Sequence, residues 1–239
     1  MAGPTTPPGW FMETGTRSRS RPVPSWRPAS STTWRLGRTD ERYRRNLLVR
    51  GAQMTNVLLG VTAGIAAYKA PDLVRKLVKA GNDVRVVLTE RAAHFVTPLS
   101  LETVSGHPVA MDMFGPRRES AIEHIELGLW PDVVAIAPAT ADCLAKMAGG
   151  LADDLLSTVL LALRPTVPIV LAPAMNTRMW THPAVRRNMK LLRKDLGDRL
   201  RPVGPIGKQL ACGEEGMGAM AELEDIVAEV LRSASDPIR

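Results

Sequence analysis

At 239 residues, 45% of them hydrophobic, the chain is long enough for one α/β domain with a sizeable core. Its net charge of +7 is confined to the start: residues 1–53 carry ten arginines against three acids, while residues 54–239 balance 21 basic with 21 acidic side chains. The balanced part is no general nucleic-acid binder, its apolar runs are too short to cross a bilayer, and two cysteines, Cys143 and Cys212, make no disulfide framework and suit a reduced cytoplasmic setting.

Residues 1–53 contain Pro4, Pro7, Pro8, Pro22, Pro24 and Pro28, a Ser-Arg repeat at 17–21, and no apolar periodicity. Such a stretch cannot bury enough surface to offset its ordering entropy and is expected to be a disordered basic leader. It shares the Arg- and Ser-rich composition of transit peptides without an amphipathic helix. Met54, two residues before the first strand, is the expected start of translation. A domain over 54–232 and a tail over 233–239 follow.

From Met54 strands and helices alternate. A strand is expected at Asn56–Val61, a helix from about Ile65 to Ala80 stopped by Gly81, and a strand at Asp83–Leu88. A helix over Thr97–Ser105 and a short strand near Pro108–Met111 come next. Asp132–Ile136 is a buried run, followed by helices around Asp142–Ala148 and Asp153–Leu163. Val167–Leu171 is a further buried strand, then a charged helix at Pro183–Leu196 and a short strand near Leu200–Val203. A glycine-rich loop (Gly204–Gly218) and a helix at Glu222–Arg232 complete the pattern. The alternation predicts an α/β fold, a mostly parallel sheet with helices on both faces.

Five segments carry chemistry. Gly60–Lys69 places a small-residue loop at a helix start, where backbone N–H groups suit a phosphate, although it spells neither a dinucleotide fingerprint nor a Walker loop. Thr89, ending the second strand, would lie beside it. Ala137–Asp142 leaves a buried strand with small side chains that let a flat ring approach, or that simply pack closely with Asp142 as an N-cap. Asn176, in Ala172–Trp180, follows a strand and offers one acceptor and two donors suited to a carboxylate; alone it reads equally as a turn residue before a helix.

Among the histidines, His124 stands between Glu123 and Glu126, a setting that suits a general base with a raised pKa, or an ordinary surface residue in a loop. His94, His107 and His182 lack such flanks, and no pair has metal-ligand spacing. Cys212 sits in a glycine-rich loop, poorly placed for core packing and well placed for a mobile lid, with Lys208 near enough to favour its thiolate. Cys143 reads as a small buried hydrophobe.

In order, Val61–Lys69, His124–Leu127, Ile136–Asp142, Gly150–Leu156, Pro173–Trp180 and Leu210–Glu222 resemble the motifs of the homo-oligomeric flavin-containing cysteine decarboxylases, over residues 54–232. The resemblance implies a flavodoxin-like three-layer fold, bound FMN, a homotrimer or a multiple of it with active sites between subunits, and a cytoplasmic enzyme acting on a small molecule. It implies decarboxylation of 4′-phosphopantothenoylcysteine to 4′-phosphopantetheine in coenzyme A biosynthesis through thioaldehyde and ene-thiolate intermediates. By motif, His124 and Cys212 are the catalytic residues; Asn176, Ala211, Gly213, Met175 and Lys208 hold substrate. Gly64, Thr89, Phe95, Ala139, Thr140, Ala141, Asp142 and Ala174 hold FMN; no metal is implied.

Alternatives from the same resemblance are a peptidyl-cysteine oxidative decarboxylase, which Cys212 argues against, and a non-catalytic flavin-binding regulatory subunit. Two departures stand out. Asp142 replaces an asparagine common in the family, exchanging an amide for a carboxylate near a flavin edge. Ala219 occupies a position that is arginine in many bifunctional relatives, and no ligase domain follows, so the ligase step is expected from another chain.

Overall fold

A computed structural model describes residues 54–114, 122–209 and 215–236. Strand β1 (Asn56–Val61) is apolar on both faces and nearly wholly buried, as befits a central parallel strand. A 3-10 turn (Ile65–Lys69) then leads into α1 (Ala70–Lys79). The expected single helix is thus divided. Pro71 lacks the N–H that would bond the carbonyl of residue 67, so the α-helix starts with this proline in its first turn.

Strand β2 (Asp83–Leu88) is followed by a second 3-10 turn (Glu90–His94) and by α2 (Pro98–Ser105), capped by Thr97. The strand expected near Pro108–Met111 is reduced to one bridge, Val87 with Ala110. Helix α3 (Glu123–Leu129) carries His124, which was expected in a loop.

Strand β3 (Val133–Ala139) runs three residues past its expected end, its pairing with β4 shifting between Ile136 and Ala139. Helix α4 (Ala141–Gly149) is capped by Thr140, not by the expected Asp142. The Thr140 hydroxyl accepts from Cys143 N–H, and Asp142 falls within the first turn. Helix α5 (Leu155–Leu161) starts on a capping box between Asp154 and Ser157.

Strand β4 (Ile169–Pro173) leads through Asn176 into the short α6 (Thr177–Thr181) and then α7 (Pro183–Leu196), with β5 (Leu200–Pro202) beyond. The region expected as one glycine-rich loop contains an antiparallel pair, β6 (Ile206–Gln209) and β7 (Glu215–Ala219), before α8 (Leu223–Ser235). The register of that pair depends on partners 6 to 13 residues apart, beyond the reach of a local glycine signal.

The five-stranded sheet is parallel throughout, in the order β2-β1-β3-β4-β5. Alternating side chains divide the core in two. Val57, Leu59 and Val61 face a cluster with Leu73 and Leu77 of α1 and Ile226 and Val230 of α8. Leu58, Val134, Ile136 and Leu171 face another with Leu144, Leu156, Val159 and Met189 from α4, α5 and α7. Both faces are therefore covered by helices. The chain proceeds from β1 outward to β2 and returns on the other side as β3, so the order reverses between β1 and β3. Parallel sheets of this kind open a crevice at that reversal, beyond the strands' carboxyl ends.

Candidate functional site at the carboxyl edge of the sheet

Thr62, the residue after β1, lies at the reversal and is 3% exposed. Its hydroxyl donates to the Pro138 carbonyl at 2.7 Å and accepts from Thr140 N–H at 3.1 Å. One buried hydroxyl thereby joins the ends of β1 and β3 and sets the N-cap of α4. On the other flank, Thr89 N–H donates to the Val61 carbonyl at 3.1 Å, carrying the end of β2 to the same edge.

These segments enclose a cavity of about 510 Å³. Thr62, Thr89 and Arg91 line one side; Thr140, Asp142 and Lys146 line another. Of the residues expected to hold FMN, Thr89, Thr140 and Asp142 thus share one cavity. A Cβ on Gly64 would touch the Thr140 methyl at 3.4 Å, so that residue adjoins it. Ala139 is fully buried at the end of β3, and its carbonyl accepts from Ala174 N–H at 3.0 Å. Ala141 is the first residue of α4, and Phe95 is 43% exposed beyond the second 3-10 turn.

Lys146 is the electrostatic centre of the cavity's second wall. Its ammonium lies 2.7 Å from Asp154, 2.9 Å from Asp153 and 3.6 Å from Asp142. Burial alone would lower its pKa, but the hydrogen bonds to Asp154 and Asp153 outweigh that and raise it, keeping the ammonium charged. Burial would raise the Asp154 carboxyl; bonds from Lys146 and Ser157 instead hold it below the usual carboxylate range. Cys143, on the same helix, is pushed up to about 12 by burial and by the carboxylates of Asp154 and Asp142. It stays a thiol at neutral pH, an inert packing residue as its sequence setting implied.

Asn176 caps α6, its side-chain oxygen accepting from Arg178 N–H at 2.8 Å. It stands three residues beyond Pro173, the end of β4, and two beyond Ala174, which is tied to β3. Met175 N–H donates to the Gly218 carbonyl at 2.9 Å, which seats the β6-β7 hairpin on this segment. Lys208 of β6 is hydrogen-bonded to Glu222, and this pairing lowers the Glu222 pKa. Its charge is thus matched by a carboxylate at the start of α8. Cys212, Ala211 and Gly213, together with the proposed leader over 1–53, lie outside the described residues.

His124 does not line the cavity. It is half-buried on α3, which packs on α5 so closely that a Cβ on Gly128 would come 2.8 Å from the Ala162 carbonyl. One chain therefore brings Thr89, Thr140 and Asp142 together in the cavity's lining, while Phe95, Ala139, Ala141, Ala174 and His124 do not line it. Two contributors were not singled out from the sequence, although the segments holding most of them were: Thr62 within Gly60–Lys69, and Lys146 with Asp153 and Asp154, the aspartates within Gly150–Leu156. The second had a visible signal, a lysine four residues after Asp142 and a pair of aspartates before a helix. Among the described residues there is no group of three or more His, Cys, Asp or Glu arranged for a metal, and no helix long and apolar enough to cross a membrane.

The family model described as Flavoprotein matches residues 49–235. The chain belongs to that family. It is 47% identical over 171 residues to the coenzyme A biosynthesis bifunctional protein CoaBC of Escherichia coli K12, covering 72% of this chain and 41% of the relative. The chain thus spans about two fifths of the length of that curated relative. A PPC decarboxylase mutant complexed with pantothenoylaminoethenethiol superposes with a TM-score of 0.67 at 35% identity, covering 77% of this chain and 100% of that one. The FMN binding protein AtHal3 gives 0.65 at 37% identity, over 77% and 99%. The flavodoxin-like fold expected from the motifs agrees with these likenesses and with the strand order.

Proposed function

We propose that this chain binds FMN and decarboxylates 4′-phosphopantothenoylcysteine to 4′-phosphopantetheine in coenzyme A biosynthesis. The observation that carries the reading is the cavity at the sheet reversal, with Thr89, Thr140 and Asp142 in its walls and the Asn176 segment at the end of β4, the strand beside β3. Its volume of about 510 Å³ is that of a small-molecule site. Arg91, which has no ion pair or hydrogen bond among the described residues, provides a cation suited to a phosphate. These features fit FMN. Gly64, Thr89, Phe95, Ala139, Thr140, Ala141, Asp142 and Ala174 are the residues that would hold it.

FMN in this site supplies a reversible two-electron oxidation, which turns the substrate's thiol carbon into an electron sink for loss of CO2. The protein's part is to bind, orient and move protons. Asn176 holds the carboxylate that leaves, its capping role keeping the side chain at one height. Cys212 gives the late proton, and Met175, Lys208, Ala211 and Gly213 complete the substrate contacts.

His124 acts as the catalytic histidine from a second copy of the chain. Its exclusion from the cavity of its own subunit supports this, as do Ile122, Ile125 and Leu129 beside it and Leu161 of α5, all 38–58% exposed. A homotrimer, or a multiple of it, would cover those apolar side chains. The balanced charge and the two cysteines support a cytoplasmic location.

The experiment is anaerobic turnover of 4′-phosphopantothenoylcysteine with product mass analysis. Loss of CO2 alone is expected. Loss of CO2 with two hydrogens would point to the peptide-type reaction, and unchanged substrate beside bound FMN to a regulatory flavoprotein. Asn176→Asp places a carboxylate against a carboxylate and is expected to raise KM strongly; an unchanged KM removes the gripping role.

A further inference from the structure

Strand β7 meets the Asn176 segment backbone to backbone. Beyond the hydrogen bond from Met175 N–H to the Gly218 carbonyl, a Cβ on Gly218 would fall 2.2 Å from the Met175 carbonyl oxygen. Two residues earlier, a Cβ on Gly216 would lie 2.5 Å from Thr177 Oγ1 and 3.0 Å from its Cγ2. Residues two apart on a strand share a face. That face of β7 rests on 175 and 177, the two neighbours of Asn176.

Helix α6 has only five residues and none of them is fully buried; Trp180 packs partly buried against the core on one face. On the backbone side, the Asn176 turn is held between the end of β4 and β7, while Met175, like Trp180, packs partly buried against the core. Thr177 Oγ1 is itself buried without a hydrogen-bond partner among the described residues. Its contact with Gly216 is therefore steric, and the threonine hydroxyl contributes no bond that the turn depends on.

We propose that Gly216 and Gly218 are positioning residues for Asn176: the bare face of β7 sets the height of the 175–177 backbone, and with it the aim of the Asn176 amide at the substrate carboxylate. This inference rests on the reading of Asn176 given above. An added methyl at either position must push strand and turn apart. A displacement of about 1 Å in a positioning group costs on the order of a hundredfold in rate.

The two glycines differ in what would relieve the clash. Gly216 meets a side chain, which Thr177→Ala shortens to its Cβ at 3.2 Å. Gly218 meets a backbone oxygen, which no side-chain change removes.

The test is a rescue experiment on the FMN-loaded full chain, reading KM, kcat and the FMN dissociation constant. Gly216→Ala and Gly218→Ala are each expected to lower kcat/KM by up to about a hundredfold, chiefly through KM, with FMN affinity unchanged. Adding Thr177→Ala should restore KM in the Gly216→Ala background and leave the Gly218→Ala defect in place. Rescue of neither, equal rescue of both, or a parallel loss of FMN affinity overturns the proposal. If Gly218→Ala does not fold, the Gly216–Thr177 cycle decides alone. Asn176→Asp separates the two levels of inference: an unchanged KM there sinks the gripping role itself. A raised KM there with unaffected glycine variants sinks only the positioning role.

Discussion

Replacing Thr62 by valine removes one hydroxyl and keeps the side-chain shape. Three contacts then vanish together: the donation to the Pro138 carbonyl at 2.7 Å, the acceptance from Thr140 N–H at 3.1 Å and the hydroxyl–hydroxyl contact with Thr140 at 3.1 Å. Bonds of this kind contribute about 0.5–1.5 kcal/mol each, and a buried polar group left without a partner costs about 1–3 kcal/mol. Thr62 is buried, whereas Thr140 is partly open to water, which returns some of the loss on its side. A net destabilisation of about 2–3 kcal/mol is expected.

The assay is equilibrium urea unfolding of the flavin-free protein at fixed protein concentration. With a slope of about 2 kcal/mol per molar urea, the midpoint should fall by about 1–1.5 M with the slope unchanged. Thr62→Ser, which retains the hydroxyl and loses only a methyl, should fall much less. The variant should also weaken FMN binding, because the same hydroxyl sets the Thr140 turn at the cavity wall. Valine within about 0.5 kcal/mol of the parent, the range of an inconsequential surface change, would refute the reasoning. So would serine being as damaging as valine.

Asp154 has a depressed pKa in the folded chain, so it contributes stability above its ordinary value of 3.8 that is lost as pH falls through the lower folded value. Asp154→Asn, which keeps a capping side chain because asparagine caps about as well as aspartate, is therefore expected to cost about 1 kcal/mol at pH 7 from the lost ion pair with Lys146. The gap from the parent should shrink steadily below about pH 4 in urea unfolding curves; a gap independent of pH contradicts the assignment. Cys143, with its pKa at about 12, should remain unalkylated by iodoacetamide in the native protein at pH 8, as read by peptide mass mapping. Rapid labelling there would show that the thiol is neither buried nor held protonated.

The alternation of strands and helices was legible in the sequence because it depends on short-range patterns. The apolar run at Val57–Val61, the proline-opened helix at Pro183–Leu196 and the run at Val167–Leu171, whose strand is found two residues later at Ile169–Pro173, each declare themselves within a dozen residues. The small-residue turns at Gly64 and Thr140 and the asparagine after β4 were legible for the same reason, as residues placed where strands end.

The tertiary structure alone decided what depends on distance. That β3 lies beside β1, and so opens the cavity between them, follows from packing two apolar faces rather than from any local signal. Thr62 acquires its partners from residues 76 and 78 positions away. His124 belongs to a helix and does not line the cavity, although its motif suggested a place at the site. Gly216 and Gly218 read in sequence only as loop glycines. Their need to be bare becomes visible when the backbone of 175–177 is found against them, because a close approach is a property of two segments and neither one encodes it alone.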